Sequence, residues 1–250
     1  PISVGDRVKL SLEGNDYLIN EILYRKNYII RKSVNLSKQV HIIASNIDQA
    51  FLIVTLVSPF TSTGFIDRFL VTAEAYQVPT IIVFNKVDLY DEFDREYHDE
   101  VVKMYSDVGY ECIEVSALNQ QNMNLLKERM KDNVTLLSGH SGVGKSTLVN
   151  SIDPNLDLLT QQVSDAHQKG MHTTTFAEMF ELDFGGFIID TPGIKGLGLV
   201  EIEDSELADY FPEMLAFKGK CKFHNCKHVN EPKCAVKSAL DTGEIHPIRY

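Results

Sequence analysis

Along the first forty residues, apolar and polar positions alternate in three short runs, Arg7–Leu12, Tyr17–Leu23 and Tyr28–Arg31. The breaks between them, Glu13-Gly14-Asn15-Asp16 and Arg25-Lys26-Asn27, are turn-forming. Period-two alternation bounded by turns predicts a small antiparallel unit. From Asp48 the pattern changes. Phe51–Val57 is an almost continuous apolar run, as expected of a strand covered on both faces. Helical spacing near Gly64–Gln77, strand Thr80–Phe84, helix Phe93–Val108, strand Glu111–Val115, helix Met123–Lys131 and strand Val134–Leu137 follow, and a further helix opens at Lys145. After the polar stretch Thr160–Thr175, strands Phe176–Leu182 and Phe187–Ile189 flank the turn Asp183-Phe184-Gly185-Gly186. Strand–helix alternation predicts an α/β fold, a mostly parallel sheet with helices on both faces. Past Ile202 the chain turns helical and acidic, then enters a Cys/His cluster.

Chemistry enters at four places. Gly139-His140-Ser141-Gly142-Val143-Gly144-Lys145-Ser146-Thr147 carries the phosphate-loop spacing, between an apolar strand and a helix. Glycines let successive backbone N–H groups face a phosphate, Lys145 reaches the terminal phosphates, and the Ser146 hydroxyl ligates Mg²⁺. Asp190-Thr191-Pro192-Gly193 closes a strand downstream, where Asp190 suits a Mg²⁺-holding role and Gly193 a close approach to a γ-phosphate. Asn85-Lys86-Val87-Asp88 and Ser116-Ala117 end two consecutive strands. A carboxylate at Asp88 accepts from both N1–H and the exocyclic amine of guanine, a contact adenine does not offer. Ser116 and Ala117 are expected to hold the base edge. Gly170-Met171-His172-Thr173-Thr174-Thr175 lies between phosphate loop and Asp190 turn, where a Thr can ligate Mg²⁺ and sense the γ-phosphate. The sequence does not single out which Thr does so; Thr174 is favoured. Together these predict a GTP/GDP site using Mg²⁺.

Cys221, Cys226, His228 and Cys234 form Cys-x₄-Cys-x-His-x₅-Cys. Three thiolates and an imidazole fill a tetrahedral Zn²⁺ shell and leave no open position, which predicts one structural zinc. His224 is a competing nitrogen ligand. Cys112 stands apart as a buried small hydrophobe.

The net charge is −11, yet unevenly placed. Residues 1–40 balance at +3, residues 41–217 at −18 and residues 218–237 at +5. Basic flanks around an acidic middle fit modules that meet a polyanion such as RNA. No apolar run is long enough to span a bilayer and no leader opens the chain, so the cytoplasm is expected.

The base motifs precede the phosphate loop in the chain, a circular permutation of the common GTPase order. With a preceding β-module and the Cys221–Cys234 run, the sequence resembles the ribosome small-subunit-dependent GTPase A family from about Val4 to Arg249. The resemblance implies a partial OB-fold over 1–43, a permuted GTPase domain over 44–210 and a zinc-binding domain over 211–250. It also implies binding to the small ribosomal subunit and its rRNA in late maturation, ribosome-stimulated GTP hydrolysis, and a monomer. Under it the β-module is expected to be short of its opening strands and the C-terminal extension to stop soon after Tyr250. Where Ras-like proteins place a water-orienting Gln, this chain has Ile194, and the resemblance makes His172 the group that positions the attacking water. Catalysis is thus expected from Lys145, Thr174 and His172. The rival readings are a phosphate-loop enzyme using ATP or transferring phosphate, and a zinc-dependent RNA-binding scaffold that only binds nucleotide.

Overall fold

The computed structural model describes residues 2–32, 40–156, 177–190 and 202–250. Strands β1 (Val8–Glu13) and β2 (Asp16–Ile22) form an antiparallel hairpin, and β3 (Tyr28–Lys32) pairs antiparallel with β4 (Val40–Ser45). The sequence reading grouped the first three strands and left β4 unassigned. β3 instead takes its partner from across the 33–39 connection, and that pairing continues past the 43/44 boundary that the family resemblance implies.

The β-module is held by polar contacts. The Asp6 carboxylate accepts from Arg25 Nε (2.6 Å) and Nη2 (2.7 Å), from Ser45 Oγ (2.7 Å) and from the Ser3 N–H (2.8 Å). Arg25 and these hydrogen bonds hold its carboxyl down at about 2 against the desolvation of a side chain only 1% exposed. A carboxylate whose pKa is depressed on folding contributes stability that is present above its unfolded value and lost as pH falls towards its folded one. Asp6→Asn is therefore expected to cost about 1–2 kcal/mol at neutral pH and nothing near pH 2, discounting for solvent screening. Denaturant melts at the two pH values check this, and an equal loss at both would count against it. Asn27, also buried, bonds the Ile47 carbonyl and N–H (2.8 Å each) and the Gln77 carbonyl (3.0 Å), fastening the module to the core.

The core sheet has six strands in the order β7-β6-β5-β8-β10-β9. These are β5 (Gln49–Val54), β6 (Thr80–Phe84), β7 (Glu111–Glu114), β8 (Val134–Ser138), β9 (Glu178–Glu181) and β10 (Phe187–Asp190). All neighbours run parallel except β9, which pairs antiparallel with β10 at the edge. The continuous apolar run is explained by β5, which is buried on both faces. Ala50, Leu52 and Val54 face a cluster with α1 (Thr63–Ala75) and α2 (Glu92–Asp107), while Phe51 and Ile53 face one with α3 (Met123–Met130) and α4 (Lys145–Ile152). Helix α2 opens with an Asp91 capping box, reciprocated by Asp94.

After residue 202, a short 3₁₀ turn (Leu207–Tyr210) and helices Pro212–Leu215 and Ala235–Asp241 surround a separate small core of Met214, Cys234, Val236, Ala239 and Ile245. No helix among the described residues is long and apolar enough to cross a membrane.

Candidate functional site

The C-terminal ends of parallel strands are where an open α/β sheet builds its ligand site. β8 ends at Ser138 and the chain enters the glycine loop. Gly139 has φ +147°, and a Cβ there would lie 2.3 Å from the Ile53 carbonyl oxygen. Gly144 has φ +92°, and a Cβ would lie 2.5 Å from Asn85 Nδ2. Only glycine lets the loop run this close to β5 and to the β6 end. α4 then starts at Lys145 with no side chain capping it, so the N–H groups of its first turn have no helical partner and suit an anion. Lys145 Nζ lies over the loop, donating to the carbonyls of Gly139 (2.5 Å) and His140 (2.9 Å). Burial pushes its pKa down and the nearby Asp190 carboxylate opposes that. Asp190 ends β10, paired in register with Leu137 of β8.

The end of β6 meets this loop directly. Asn85, 2% exposed, donates from Nδ2 to the Val143 carbonyl (2.8 Å) and accepts at Oδ1 from the Ala117 N–H (3.1 Å). One amide thus joins the glycine loop, the β6 end and the Ser116-Ala117 turn. Lys86, in the left-handed backbone region, donates from Nζ to the Gly142 carbonyl (2.7 Å) and the Ser58 carbonyl (2.6 Å). Ser116, wholly buried, accepts from the Asn119 N–H (3.0 Å) and fixes its turn. Asp88 follows, and its buried Oδ1 has no hydrogen-bond partner. A buried, unsatisfied acceptor beside a loop shaped for phosphate fits a donor-bearing base edge. Ser141, Ser146 and Thr147 line the same loop and first helical turn.

Two contacts here were not anticipated from sequence. The His140 ring stacks on Phe65 of α1 at 4.2 Å, and burial with Lys145 nearby lowers its pKa. The loop 55–62, through Ser58 and Pro59, leans on Lys86 and Gly142. Neither has a sequence signal, because each joins segments more than twenty residues apart by geometry alone. His172, Thr174 and Gly193 lie outside the described residues, as do the rest of 170–175 and 191–194.

At the C-terminus, ligand atoms of Cys221, Cys226, His228 and Cys234 all lie within 4.8 Å of one another. Cys221 and Cys234 sulfurs are 3.9 Å apart, and His228 Nδ1 is 3.6 Å from the first and 3.3 Å from the second. Tetrahedral bonds of about 2.3 Å to zinc would separate two sulfurs by about 3.8 Å, so the donor set fits. Backbone N–H groups of Ala235 (3.3 Å) and Lys237 (3.5 Å) donate to two of the sulfurs, a support typical of thiolate ligands. His224 is exposed and stands outside the cluster that His228 joins.

Residues 22–200 match the model of the RsgA GTPase family. The chain belongs to that family. This RsgA-family GTPase is 54% identical to a protein of Christiangramia forsetii named small ribosomal subunit biogenesis GTPase RsgA, and 52% identical to one of the same name in Bacteroides fragilis. Both alignments cover all of this chain and 81% of the relative. Its fold is similar to a crystal structure of YjeQ from Thermotoga maritima (TM-score 0.81, 39% identity, covering 100% of this chain and 81% of that one). It is also similar to YloQ, described as a circularly permuted GTPase (TM-score 0.78, 33% identity, covering 99% and 76%). The permutation is visible in this RsgA-family sheet. β5 and β6, with the Asn85–Asp88 motif, come earlier in the chain than β8 and the phosphate loop, yet β5 lies directly beside β8.

Proposed function

We propose that this GTPase acts in biogenesis of the small ribosomal subunit, with that subunit and its rRNA as partners, as a cytoplasmic monomer. The observation that supports it best is the direct bonding of Asn85 and Lys86 to the phosphate loop, with the buried Oδ1 of Asp88 left without a hydrogen-bond partner two residues further on. Relatives 54% and 52% identical carry the subunit in their name, and the basic ends of this chain suit an RNA partner.

In this reading, Asp88 pairs with the guanine edge while Asn85, Lys86, Ser116 and Ala117 shape its pocket. The loop Gly139, His140, Ser141, Gly142, Val143, Gly144, Lys145, Ser146 and Thr147 cradles the phosphates. Ser146, Asp190 and Thr174 hold Mg²⁺, and Gly193 meets the γ-phosphate. Mg²⁺ held there would supply positive charge to the phosphate oxygens. Lys145 would stabilise the charge on the same oxygens, and His172 would position the attacking water. Cys221, Cys226, His228 and Cys234 hold one structural Zn²⁺. The division into 1–43 (partial OB-fold), 44–210 and 211–250 places RNA contact on the two ends.

Asp88→Asn tests the base reading. An amide cannot accept from both guanine donors, and losing a charge-assisted pair lowers GTP affinity about 100-fold. The same variant should gain xanthosine triphosphate, whose base edge offers an acceptor there. Unchanged GTP affinity would refute Asp88 as the base reader. Hydrolysis by the native chain with purified small subunits, against large subunits as control, tests the partner. His172→Ala in the same assay is expected to keep GTP binding and lose the stimulation.

A further inference from the structure

Arg249 lies one residue from the end of the chain and its side chain is 1% exposed. It donates from Nε to Glu213 Oε1 (2.6 Å) and from Nη2 to Glu213 Oε2 (3.1 Å), a two-pronged grip on the C-terminal module's own helix. The third prong, Nη1, reaches Asp67 Oδ1 of α1 at 2.5 Å. Tyr105 of α2 donates its hydroxyl to the same Asp67 oxygen (2.8 Å). The guanidinium also lies against two rings, Phe211 of the module at 4.7 Å and Tyr105 of the core at 5.5 Å. The adjacent Tyr250 donates its hydroxyl to the carbonyl of His228 (2.5 Å), inside the Cys/His cluster. Two consecutive residues therefore join the metal loop, the module's helix and the GTPase core.

On the core side the path to the nucleotide site is short. Asp67 is two residues from Phe65, which stacks on His140 of the phosphate loop. The loop that feeds α1 gives its Ser58 carbonyl to Lys86, which also grips Gly142. Phe65 and Asp67, two positions apart in the first two turns of α1, thus meet the phosphate loop and Arg249 respectively.

We propose that Arg249 is a positioning residue. Its bonds to Asp67 and Glu213 fix the orientation of the C-terminal module on α1, so that contact made at the module is felt at the phosphate loop through α1. A guanidinium fork holds direction as well as distance, which a single charge on a flexible stem does not. Such a buried triad sets geometry more than net stability, because replacing all its charges together can leave stability intact while removing one leaves uncompensated charge.

That difference supplies the test. Arg249→Met leaves two buried carboxylates and is expected to lower the melting temperature. The triple variant Asp67→Asn, Glu213→Gln, Arg249→Met removes every charge and is expected to recover most of it. Spin labels on non-natural residues at exposed Glu96 and Asn230 report the orientation of module against core. A single narrow distance distribution is expected in the native chain, at least twofold broader in the triple variant with zinc content unchanged. A narrow distribution in the triple variant overturns the pin. The second arm rests on the proposed small-subunit role: stimulated turnover should fall about tenfold in the triple variant, with intrinsic turnover and the KM for GTP unchanged. Full stimulation despite a broadened distribution overturns the transmission. Absence of stimulation in the native chain counts against the ribosomal reading, and the distance measurement still judges the pin.

Discussion

Lys145→Ala is expected to lower GTP turnover by about 100- to 1000-fold. In phosphoryl transfer the protein's contribution is positioning and charge stabilisation, and removing one preorganised donor costs about that much. Lys145 is placed for this by its surroundings. Its ammonium is tethered over the loop by the Gly139 and His140 carbonyls, at 2.5 and 2.9 Å, with Asp190 close enough to favour the charged form. Burial works against that charge, so the cation is held in a partly desolvated place where its field on a phosphate is stronger than in water. Alanine removes the charge and leaves two carbonyls pointing into the loop. The fold should survive, since β8 and α4 are anchored by the buried Leu136, Leu137, Leu148 and Ile152. Single-turnover hydrolysis and a melt, measured together, check it. Turnover within tenfold of the native chain, with the loop folded, would remove Lys145 from the chemistry.

Cys234→Ser is expected to abolish zinc binding and unfold the C-terminal module while the GTPase core stays folded. Zinc binding in small modules of this kind contributes about 10–16 kcal/mol of folding free energy. The module's own apolar core is small, five buried residues of which Cys234 is itself one at 3% exposure. A hydroxyl is a poor zinc ligand and leaves a three-ligand site. Cys234 also caps the helix Ala235–Asp241, accepting from the Lys237 N–H, so the substitution weakens that helix at its start. Metal content should fall from one zinc per chain to nearly none. Amide protection should vanish in Pro212–Leu215 and Ala235–Asp241 and persist in β5, β6 and β8. A variant that keeps its zinc and its protected amides would show that the cluster is not what holds the module.

The candidate nucleotide site could be proposed from sequence because its parts are local. Gly139, Gly144 and Lys145 announce themselves through a spacing that only one backbone path satisfies, and the structure shows the close approaches, to Ile53 and Asn85, that exclude a side chain. The Asn85–Asp88 and Ser116-Ala117 turns were found at strand ends for the same reason. The Cys221, Cys226 and Cys234 cluster was suggested by its spacing, but seeing that His228 rather than His224 lies beside those sulfurs needed coordinates. Both lie in the same loop, and only its path, with His228 in a left-handed conformation, turns one ring inward. The pairing of β3 with β4 escaped because strand partners are chosen by tertiary fit across a connection, which periodicity does not record.

By itself the sequence determined the α/β alternation, the permuted order of the motifs and the ligand types, each set by side-chain period or backbone sterics within a few residues. Tertiary structure alone decided that Asn85 and Lys86 grip the phosphate loop, that Phe65 backs His140 and that Arg249 ties the last residues to α1. Those contacts join positions 56, 58, 75 and 182 residues apart. A bond of that span is fixed by how buried layers pack, and no local rule along the chain encodes which distant partner will arrive.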